Sequence, residues 1–309
     1  MVGDMPSPRV LVTGANGHLG RGLIARIHQG EPEQVRAVVR SQRAADQAAA
    51  AAPVDVRIVD YTSAEALAEA ARSCQAAVHF VGIIKQTQDA RYEIAHEAAC
   101  QSLVAAASTA GLERIVYLSI LGSRPESTNA CLASKGRAED ILLAGPVPAC
   151  VLRVPMVLGR GDYASFSLRK QATSGTVAML GGGHTLQQPI DADDVLSAVL
   201  AALRHDPPVQ GALDLAGPEC LSHRQLVERA AALHTNQPRV IPVPLGLARA
   251  GVAVLERLTS NPPLTVAMLD VLQHDDRIDT APACKQLDLT LTPLDETLQK
   301  CLGPETDSR

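Results

Sequence analysis

Short apolar runs alternate with alanine-rich segments of helical periodicity through the first half of the chain. The apolar runs are rich in β-branched residues and predict buried strands, while the segments between them predict helices, one of which begins at Gly17. This alternation is typical of a parallel sheet with helices on its faces, because each crossover helix returns the chain to the same end of the sheet. The predicted strands are residues 10–12, 34–39, 54–59, 76–81 and 114–118, and the other predicted helices are residues 63–72 and 90–110.

The second half of the chain has a different pattern, in which glycines separate short apolar elements. Residues 193–204 and 222–234 predict helices, and Ser222 is the predicted N-cap of the second. The alanine tract at residues 44–52 is expected to be a solvent-side helix turn or a loop. Residues 245–258 are amphipathic and predict a helix that is buried or faces a partner, with attachment to a membrane surface as the less favoured alternative.

The residues that follow the first predicted strand read Thr-Gly-Ala-Asn-Gly-His-Leu-Gly. Glycines at the start of a helix let backbone N–H groups approach a pyrophosphate closely and permit the tight turn. The position between a strand and a helix makes this pattern more specific than a glycine triplet alone. We therefore predict a dinucleotide site on a Rossmann domain in residues 1–160, with residues 161–309 adding the remaining sheet elements and a small C-terminal lobe, the two parts interleaved. The loop residues of this site are Gly14, Asn16, Gly17, His18, Leu19 and Gly20.

The end of the second strand bears on which dinucleotide binds. NAD-binding proteins carry an acidic residue there, which accepts a hydrogen bond from the ribose 2′-hydroxyl. Here the strand ends at Arg40, Arg43 is close by, and no carboxylate lies between Val35 and Arg43. A guanidinium forms charge-assisted hydrogen bonds with a 2′-phosphate, so NADP(H) is predicted ahead of NAD(H). Asp60 and Tyr61, after the third strand, are expected either to meet the adenine or to be ordinary turn residues.

Further motifs follow the glycine loop in the order found in extended short-chain dehydrogenase/reductases. They include the turn at 80–82, the strand that ends in Tyr-Leu-Ser, the pair Ser134-Lys135 and the segment Leu-Arg-Val-Pro. The chain therefore resembles the atypical, NAD-dependent epimerase/dehydratase-like members of that family. Residues 242–245 and 261–265 are similar to one subgroup, which is related to the nucleotide-binding accessory subunit of mitochondrial complex I. The resemblance adds to the predicted cofactor site Phe80, Val81, Gly82, Ser119, Lys135 and Pro155.

One catalytic residue of the resembled family is absent. Its active members use a tyrosine as the acid, a lysine that lowers the pKa of this phenol and binds the nicotinamide ribose, and a serine that orients the substrate. The resemblance gives the serine and lysine roles to Ser119 and Lys135, but Cys131 stands at the tyrosine position. A thiol is a weak hydrogen-bond donor on a much shorter side chain. We interpret Cys131 as a small apolar residue facing the site, ahead of a reactive thiolate beside Lys135.

Composition narrows the set of partners. The formal net charge is −5 and no basic stripe is present, so nucleic-acid binding is not expected. Aromatic residues make up 2% of the chain, which leaves few rings on which bases could stack. The seven cysteines show no CxxC pair and no secretory signal precedes them, a pattern typical of a reducing compartment. Because no apolar stretch is long enough to cross a bilayer, we predict a cytoplasmic protein whose only membrane contact would be peripheral.

No metal site is predicted from the sequence. Asp191, Asp193 and Asp194 cluster at a helix start, where capping and the helix dipole explain them better than a hard metal ion. His96 and Cys100 have a spacing compatible with two zinc ligands, but no further ligands are apparent, so both are interpreted as helix-face residues. The family resemblance places a polar residue of this helix near the cofactor, which is the role expected of His96.

Two classes of function remain open. The missing tyrosine favours an NADP(H)-binding protein with weak or no conventional dehydrogenase activity and a cofactor-sensing, assembly or accessory role, in a respiratory or quinone-related setting. The retained Ser119 and Lys135 support the alternative, an NADPH-dependent oxidoreductase acting on a hydrophobic small molecule such as a quinone. The expected partners are therefore the dinucleotide and either a hydrophobic small molecule or a protein.

The basic end of the second strand yields a first prediction. Arg40→Asp should weaken NADPH binding at least tenfold more than NADH binding, because it replaces a guanidinium that suits the 2′-phosphate with a carboxylate that repels it. Calorimetric titration of both cofactors into the wild type and the variant measures this difference. Equal affinity of the wild type for NADH and NADPH would contradict the assignment.

Overall fold

The computed structural model of the protein describes residues 8–87, 90–259 and 262–303. Asn261, part of the segment that resembles the complex I subgroup, lies outside the described residues. The chain divides into two compact units. The first contains the chain up to Arg153 together with Leu196–Leu213, and the second contains Val154–Val195 and the chain from Asp214 onward. The division at residue 160 stays a prediction about domains, since these units are defined by packing alone.

The strands of the described residues, in chain order, are β1 (Arg9–Thr13), β2 (Gln34–Val39), β3 (Asp55–Ile58), β4 (Ala76–His79), β5 (Arg114–Ile120), β6 (Ala149–Val154), β7 (Val157–Leu158), β8 (Thr176–Leu180), β9 (Leu186–Gln187), β10 (Ile190–Asp191), β11 (Gly211–Asp214), β12 (Leu221–Ser222) and β13 (Arg239–Val243). The α-helices are α1 (His18–His28), α2 (Gln42–Ala49), α3 (Ala64–Ala71), α4 (Ala99–Ala110), α5 (Ala130–Leu143), α6 (Tyr163–Thr173), α7 (Ala192–Arg204), α8 (His223–Ala232), α9 (Leu245–Leu258), α10 (Val266–Leu272), α11 (Ala281–Leu287) and α12 (Leu294–Leu302). A π-helix (Glu93–Ala98) precedes α4, and a short 3₁₀ turn (Gly181–Gly183) follows β8. None of the helices in the described ranges has the length and apolar character needed to cross a membrane.

The first unit is built on a seven-stranded sheet with the order β11-β6-β5-β4-β1-β2-β3. The pairs β1–β2, β2–β3, β1–β4 and β4–β5 are parallel. From β1 the chain adds strands first on one side and then on the other, so the switch point lies between β1 and β4. Ligands of such sheets bind beyond the carboxyl ends of the strands at this point. The predicted fold class, a doubly wound parallel sheet flanked by helices, is confirmed.

Most sequence-based boundaries match the structure to within a few residues, and two interpretations need correction. The alanine tract was expected on the solvent side, but residues 42–49 form α2, in which Ala44, Ala45 and Ala48 are buried. The small methyl groups let this helix pack closely. Because the segment is not strongly hydrophobic on average, its sequence does not reveal this burial. The range of α9 is as predicted, yet none of its residues is buried, so the buried interpretation is wrong. The partner-facing and membrane-surface interpretations stay predictions.

The predicted helix at residues 90–110 also differs in detail. Its first part is the π-helix, whose wider turn places Tyr92 and His96 against the chain that follows β4. Tyr92 Oη donates to the carbonyl of Ile84 at 2.7 Å, and the backbone N–H of Ile83 donates to His96 Nε2 at 3.1 Å. Apolar periodicity does not reveal one extra residue per turn, so the sequence pattern could not show this feature.

Each unit has its own apolar core. In the first, Leu11 and Val38 of the sheet pack with helix residues such as Leu67 and Leu103. Arg36 on β2 is buried beside this core, where it pairs with Asp55 at 2.7 Å and donates to the carbonyls of Ala70 and Arg72 at the end of α3. The buried charge is therefore paired with a carboxylate and hydrogen-bonded to two carbonyls, which offsets the cost of its burial. The second unit buries residues of β7, β8, α6, α8 and α12 around its own centre, among them Leu158, Met179, Leu226 and Leu298.

The close packing of the glycine loop yields a stability prediction. A Cβ atom at Gly20 would lie 2.6 Å from the carbonyl oxygen of Gly14 and 2.7 Å from Ala15 Cα, whereas one at Gly17 would meet only the Gly14 oxygen, at 3.3 Å. Gly20→Ala should therefore lower the free energy of unfolding by about 1–3 kcal/mol, although alanine favours a helix by about 1 kcal/mol over glycine. Gly17→Ala is the matched control and should cost less than about 1 kcal/mol. Urea unfolding measures both, and equal losses would contradict this packing.

Candidate dinucleotide-binding site

The glycine loop lies at the carboxyl end of β1, beside the switch point of the sheet. Gly14 has a φ of +70°, and a Cβ there would lie 3.0 Å from the backbone carbon of Phe80, so the loop packs directly on the chain leaving β4. Gly17 is the N-cap of α1, and it contributes no side-chain cap. No acidic residue occupies the first turn of α1. The start of this helix thus keeps N–H donors and a positive dipole end for an anionic ligand.

The side chain of Tyr61 fixes this loop through its hydroxyl group. The backbone N–H of Gly14 donates to Tyr61 Oη at 3.0 Å, and the same hydroxyl donates to the carbonyl of Val38 in β2 at 3.0 Å. Burial raises the pKa of Tyr61, which keeps its hydroxyl protonated. On the loop itself, the Asn16 side chain donates to Gln47 of α2 at 3.2 Å. The loop is therefore fixed by side chains on two neighbouring elements.

The end of β2 presents a basic group. Arg40 is exposed, and its guanidinium carbon lies 5.7 Å from the centre of the Tyr61 ring. The Asp60 carboxylate accepts from the N–H and the hydroxyl of Thr62, both at 2.9 Å. These hydrogen bonds, with a smaller contribution from Arg40, lower the pKa of Asp60. The side chain of Asp60 is thus engaged by its own turn, while the guanidinium of Arg40 faces solvent.

Lys135 lies in the interior of the first unit, near the carboxyl ends of β4 and β5. Its Nζ donates to Tyr117 Oη at 2.9 Å and to the carbonyl of Leu118 at 3.0 Å, and a Cβ at Gly82 would lie 2.8 Å from it. Burial lowers the pKa of Lys135 to about 8. Burial, and then the Lys135 charge, lower the pKa of His79 and of His96 to about 3, so both imidazoles are neutral. An ammonium has three donors, so one N–H of Lys135 is left for a ligand.

Cys131, at the position of the family tyrosine, is directed into the protein. The residue has no exposed surface, and its Sγ donates to the carbonyl of Ile83 at 3.6 Å. Burial raises the pKa of this thiol to about 11, although the charge of Lys135 and the nearby Tyr92 hydroxyl act in the opposite direction. The thiol is therefore protonated near neutral pH. His96, which was expected near the cofactor, binds the backbone of the same residue, Ile83.

Ser119 is part of a second buried network. Its Oγ donates to a carboxylate oxygen of Glu139, and Arg153 binds the other oxygen of that carboxylate, with Nε at 2.8 Å. Ser119 and Glu139 are 2% and 1% exposed, respectively. The hydroxyl proton of Ser119 is thus committed to Glu139.

Pro155 directly follows β6 and belongs to the second unit, whereas the other predicted site residues belong to the first. Its role in the site stays a prediction.

Sequence reasoning missed several groups around these residues. Tyr117 belongs to the Tyr-Leu-Ser motif, but the motif does not show that its hydroxyl accepts a hydrogen bond from Lys135. Glu139 lies one helical turn after Lys135 on α5, a spacing that places both on the same helix face and was available as a signal. Tyr92 and His79 gave no signal, because their partners are backbone atoms of a loop and the Thr13 hydroxyl, which lies 2.6 Å from His79 Nδ1.

The aspartate cluster of the second unit is engaged in internal contacts. Asp191 is buried, pairs with Lys300 at 2.5 Å and accepts from the Thr297 hydroxyl at 2.8 Å. Asp194 accepts from the N–H and the hydroxyl of Thr292. Within the part of the chain that the structure describes, no group of three or more His, Cys, Asp or Glu residues is arranged to hold a metal ion.

Together these features define the class of the protein. A parallel sheet carries a tightly packed glycine turn at its switch point, followed by an uncapped helix start, and this arrangement is a Rossmann dinucleotide-binding site. The model of the NAD(P)H-binding family matches residues 14–206, and the chain belongs to that family. The resemblance deduced from the sequence motifs is confirmed.

Similar proteins include both a respiratory subunit and a reductase. The chain is 26% identical to the mitochondrial NADH dehydrogenase (ubiquinone) 1 alpha subcomplex subunit 9 of Arabidopsis thaliana, over 70% of this chain and 56% of that subunit. The match thus spans little more than half of the plant protein. The chain is also 26% identical to the ceramide reductase of Caulobacter vibrioides, over 79% of this chain and 77% of that protein. Its fold is similar to that of a Bacillus cereus UDP-glucuronic acid 4-epimerase in complex with UDP-glucuronic acid and NAD, with a TM-score of 0.71, 16% identity and coverage of 94% and 97% of the two chains.

The buried ammonium of Lys135 generates a pH prediction. Its pKa is lowered in the folded chain from 10.5 to about 8, so between these values the unfolded chain binds more protons and stability rises with pH. Relative to Lys135→Met, the free energy of unfolding of the wild type should therefore rise by about 2–3 kcal/mol from pH 7 to pH 10. Urea titrations at several pH values measure this difference. Lys170→Met is the control, because it removes an exposed lysine and no buried charge. A flat difference for Lys135→Met would contradict the burial of a charged amine.

Proposed function

We propose that this protein binds NADP(H) as a sensing, assembly or accessory ligand and carries weak or no conventional dehydrogenase activity. The observation that carries the proposal is the state of Cys131. Its protonated thiol is buried and donates to the carbonyl of Ile83, whereas a family acid must reach the substrate oxygen beside the nicotinamide. Bound cofactor would supply a hydride, but the chain offers no phenol at position 131 to supply the proton.

The two retained family residues support a binding role. The hydroxyl of Ser119 is committed to Glu139, so it has no free proton with which to orient a substrate carbonyl. Lys135 keeps one N–H donor beyond those used by Tyr117 and Leu118, which suits a ribose hydroxyl. The residues that fit a dinucleotide are thus intact, while those that would act on its substrate are engaged elsewhere.

The preference for NADP(H) rests on Arg40. Its exposed guanidinium stands at the end of β2, where a 2′-phosphate would lie in a Rossmann site, and Asp60 is engaged by Thr62. The respiratory setting is supported by the similarity to the plant NADH dehydrogenase subunit. A tightly held dinucleotide that is not turned over is the expected property of an accessory subunit of this kind.

A second candidate function is the reduction of a hydrophobic small molecule with NADPH. One structural feature agrees with it, as it agrees with an accessory role: α9 in the second unit has no buried residue and exposes Leu247, Val254 and Leu258 on one face. Such a face suits a lipid-like ligand, a membrane surface or an apolar protein partner. The similarity to a ceramide reductase points in the same direction.

Turnover measurements with a Cys131 series separate the two candidates. We expect the wild type to purify with NADP(H) and to oxidise NADPH no faster than buffer when quinones and ceramide-type ketones are offered. Cys131→Ala should behave in the same way and retain the cofactor. Multiple turnover by the wild type would contradict the accessory role, and its loss in Cys131→Ala would show that the thiol itself takes part.

The same series tests the alignment of Lys135. Cys131→Tyr returns the family phenol and should raise NADPH oxidation on the order of a hundredfold above wild type, the typical contribution of a positioned acid. Cys131→Phe is the matched control, because it adds the same ring without the hydroxyl. If the tyrosine and phenylalanine variants both bind NADPH and are equally inactive, Lys135 is not aligned with the nicotinamide as a family lysine.

A further inference from the structure

We propose that Tyr61 positions both anion-binding parts of the site: its hydroxyl fixes the glycine loop, and its ring supports the guanidinium of Arg40 and so strengthens the preference for a 2′-phosphate. This inference rests on the proposed NADP(H) binding and adds the residue that positions the groups which read the cofactor. Tyr61 is a positioning residue in this scheme. Direct contact with the adenine, one of the two roles that the sequence left open for Tyr61, is not required of it.

The hydroxyl joins two parts of the site. It accepts the N–H of Gly14 and donates to the carbonyl of Val38, both at 3.0 Å. Gly14 is the first glycine of the loop. Val38 lies on β2, and Arg40 directly follows that strand. Only a side chain that both accepts and donates can make this bridge, and the buried phenol stays protonated because burial raises its pKa. The hydroxyl therefore adds a side-chain bridge at the end of the β1–β2 ladder, in which Thr13 pairs with Val38.

The ring acts on the arginine. The guanidinium carbon of Arg40 lies 5.7 Å from the centre of the Tyr61 ring, within the range of a cation–π contact. An exposed arginine otherwise samples many rotamers, and restricting them lowers the entropy cost of binding a phosphate. The ring is 6% exposed and is fixed by its hydroxyl, so it offers a rigid support. The contact therefore favours one position of the exposed guanidinium before the cofactor arrives.

One side chain thus supports both groups that would bind the anionic parts of NADP(H). The glycine loop would receive the pyrophosphate, and Arg40 the 2′-phosphate. A leucine at position 61 fills much of the same apolar space but lacks both the bridge and the ring. A phenylalanine lacks the bridge alone. This pair of substitutions separates the two actions of Tyr61.

The test uses two ligands without nicotinamide, ADP-ribose and its 2′-phosphorylated form, titrated into the full chain by calorimetry. Both carry the pyrophosphate, and the ratio of their affinities isolates the 2′-phosphate. The variants are Tyr61→Phe, Tyr61→Leu, Arg40→Gln and the double variant Tyr61→Leu/Arg40→Gln. Arg72→Gln is the control for lost charge, since Arg72 is an exposed arginine of the same unit, paired with Glu69. Circular dichroism and thermal unfolding establish that each variant is folded.

We expect the wild type to bind the phosphorylated ligand at least tenfold more tightly, and Arg72→Gln to keep this ratio. Tyr61→Phe should weaken both ligands by a similar factor, about three- to tenfold, because the loop loses one hydrogen bond. Tyr61→Leu should also lower the ratio about threefold, in keeping with an exposed cation–π contact. In the Arg40→Gln background the leucine substitution should leave the ratio unchanged.

Three outcomes would overturn the inference. In the first, Arg40→Gln removes the difference in affinity between the two ligands while a folded Tyr61→Leu keeps it. In that case Arg40 binds the 2′-phosphate without the support of Tyr61, so the NADP(H) proposal stands and this inference fails. If Tyr61→Phe binds both ligands as tightly as the wild type, the hydroxyl does not position the loop; this result stands even where Tyr61→Leu fails to fold. If the wild type binds both ligands equally, the NADP(H) preference itself fails, and the inference fails with it.

Discussion

The burial of the Lys135 ammonium is the constraint on which the first unit depends. A charged amine in an apolar interior is costly unless its donors are satisfied, and its hydrogen-bond partners here are a phenol and a carbonyl rather than a carboxylate. This buried charge affects the residues around it. Burial, and then this charge, keep His79 and His96 neutral, the hydroxyl of the fully buried Tyr117 accepts from the ammonium, and a Cβ atom at Gly82 would lie 2.8 Å from its Nζ. The carboxyl ends of β4 and β5 are therefore organised around one cation.

The same packing bears on the proposed binding role. With a cysteine at position 131, the thiol reaches inward to the chain after β4, which His96 and Tyr92 also hold. Ser119 turns to Glu139, whose charge Arg153 balances. Each of these contacts stabilises the fold, and each removes a proton donor from the cleft. The anion-binding features of the glycine loop do not depend on these contacts, so the proposed cofactor binding does not require a catalytic serine or tyrosine.

The groups around Tyr61 and Arg40 are held in a different way from those around Lys135. There the decisive groups are exposed or lie just below the surface, and they are held by single contacts such as those of Tyr61 with Gly14 and Arg40. Contacts of this kind change affinity by small factors, which is the range in which related cofactors are distinguished. In the second unit, the exposed apolar face of α9 stands apart from a well-packed core.

The sequence by itself determined the doubly wound sheet, the glycine loop and the missing tyrosine, because these depend on local periodicity and on residue types at fixed spacings. The range of α9 and the capping role of Ser222 are local in the same sense. Only the tertiary structure decided the partners of Lys135, the direction of the Cys131 thiol and the bridge made by Tyr61. Those contacts join residues 17 to 48 positions apart on different elements. Such pairings depend on how helices and strands pack, and no local pattern of residues encodes them.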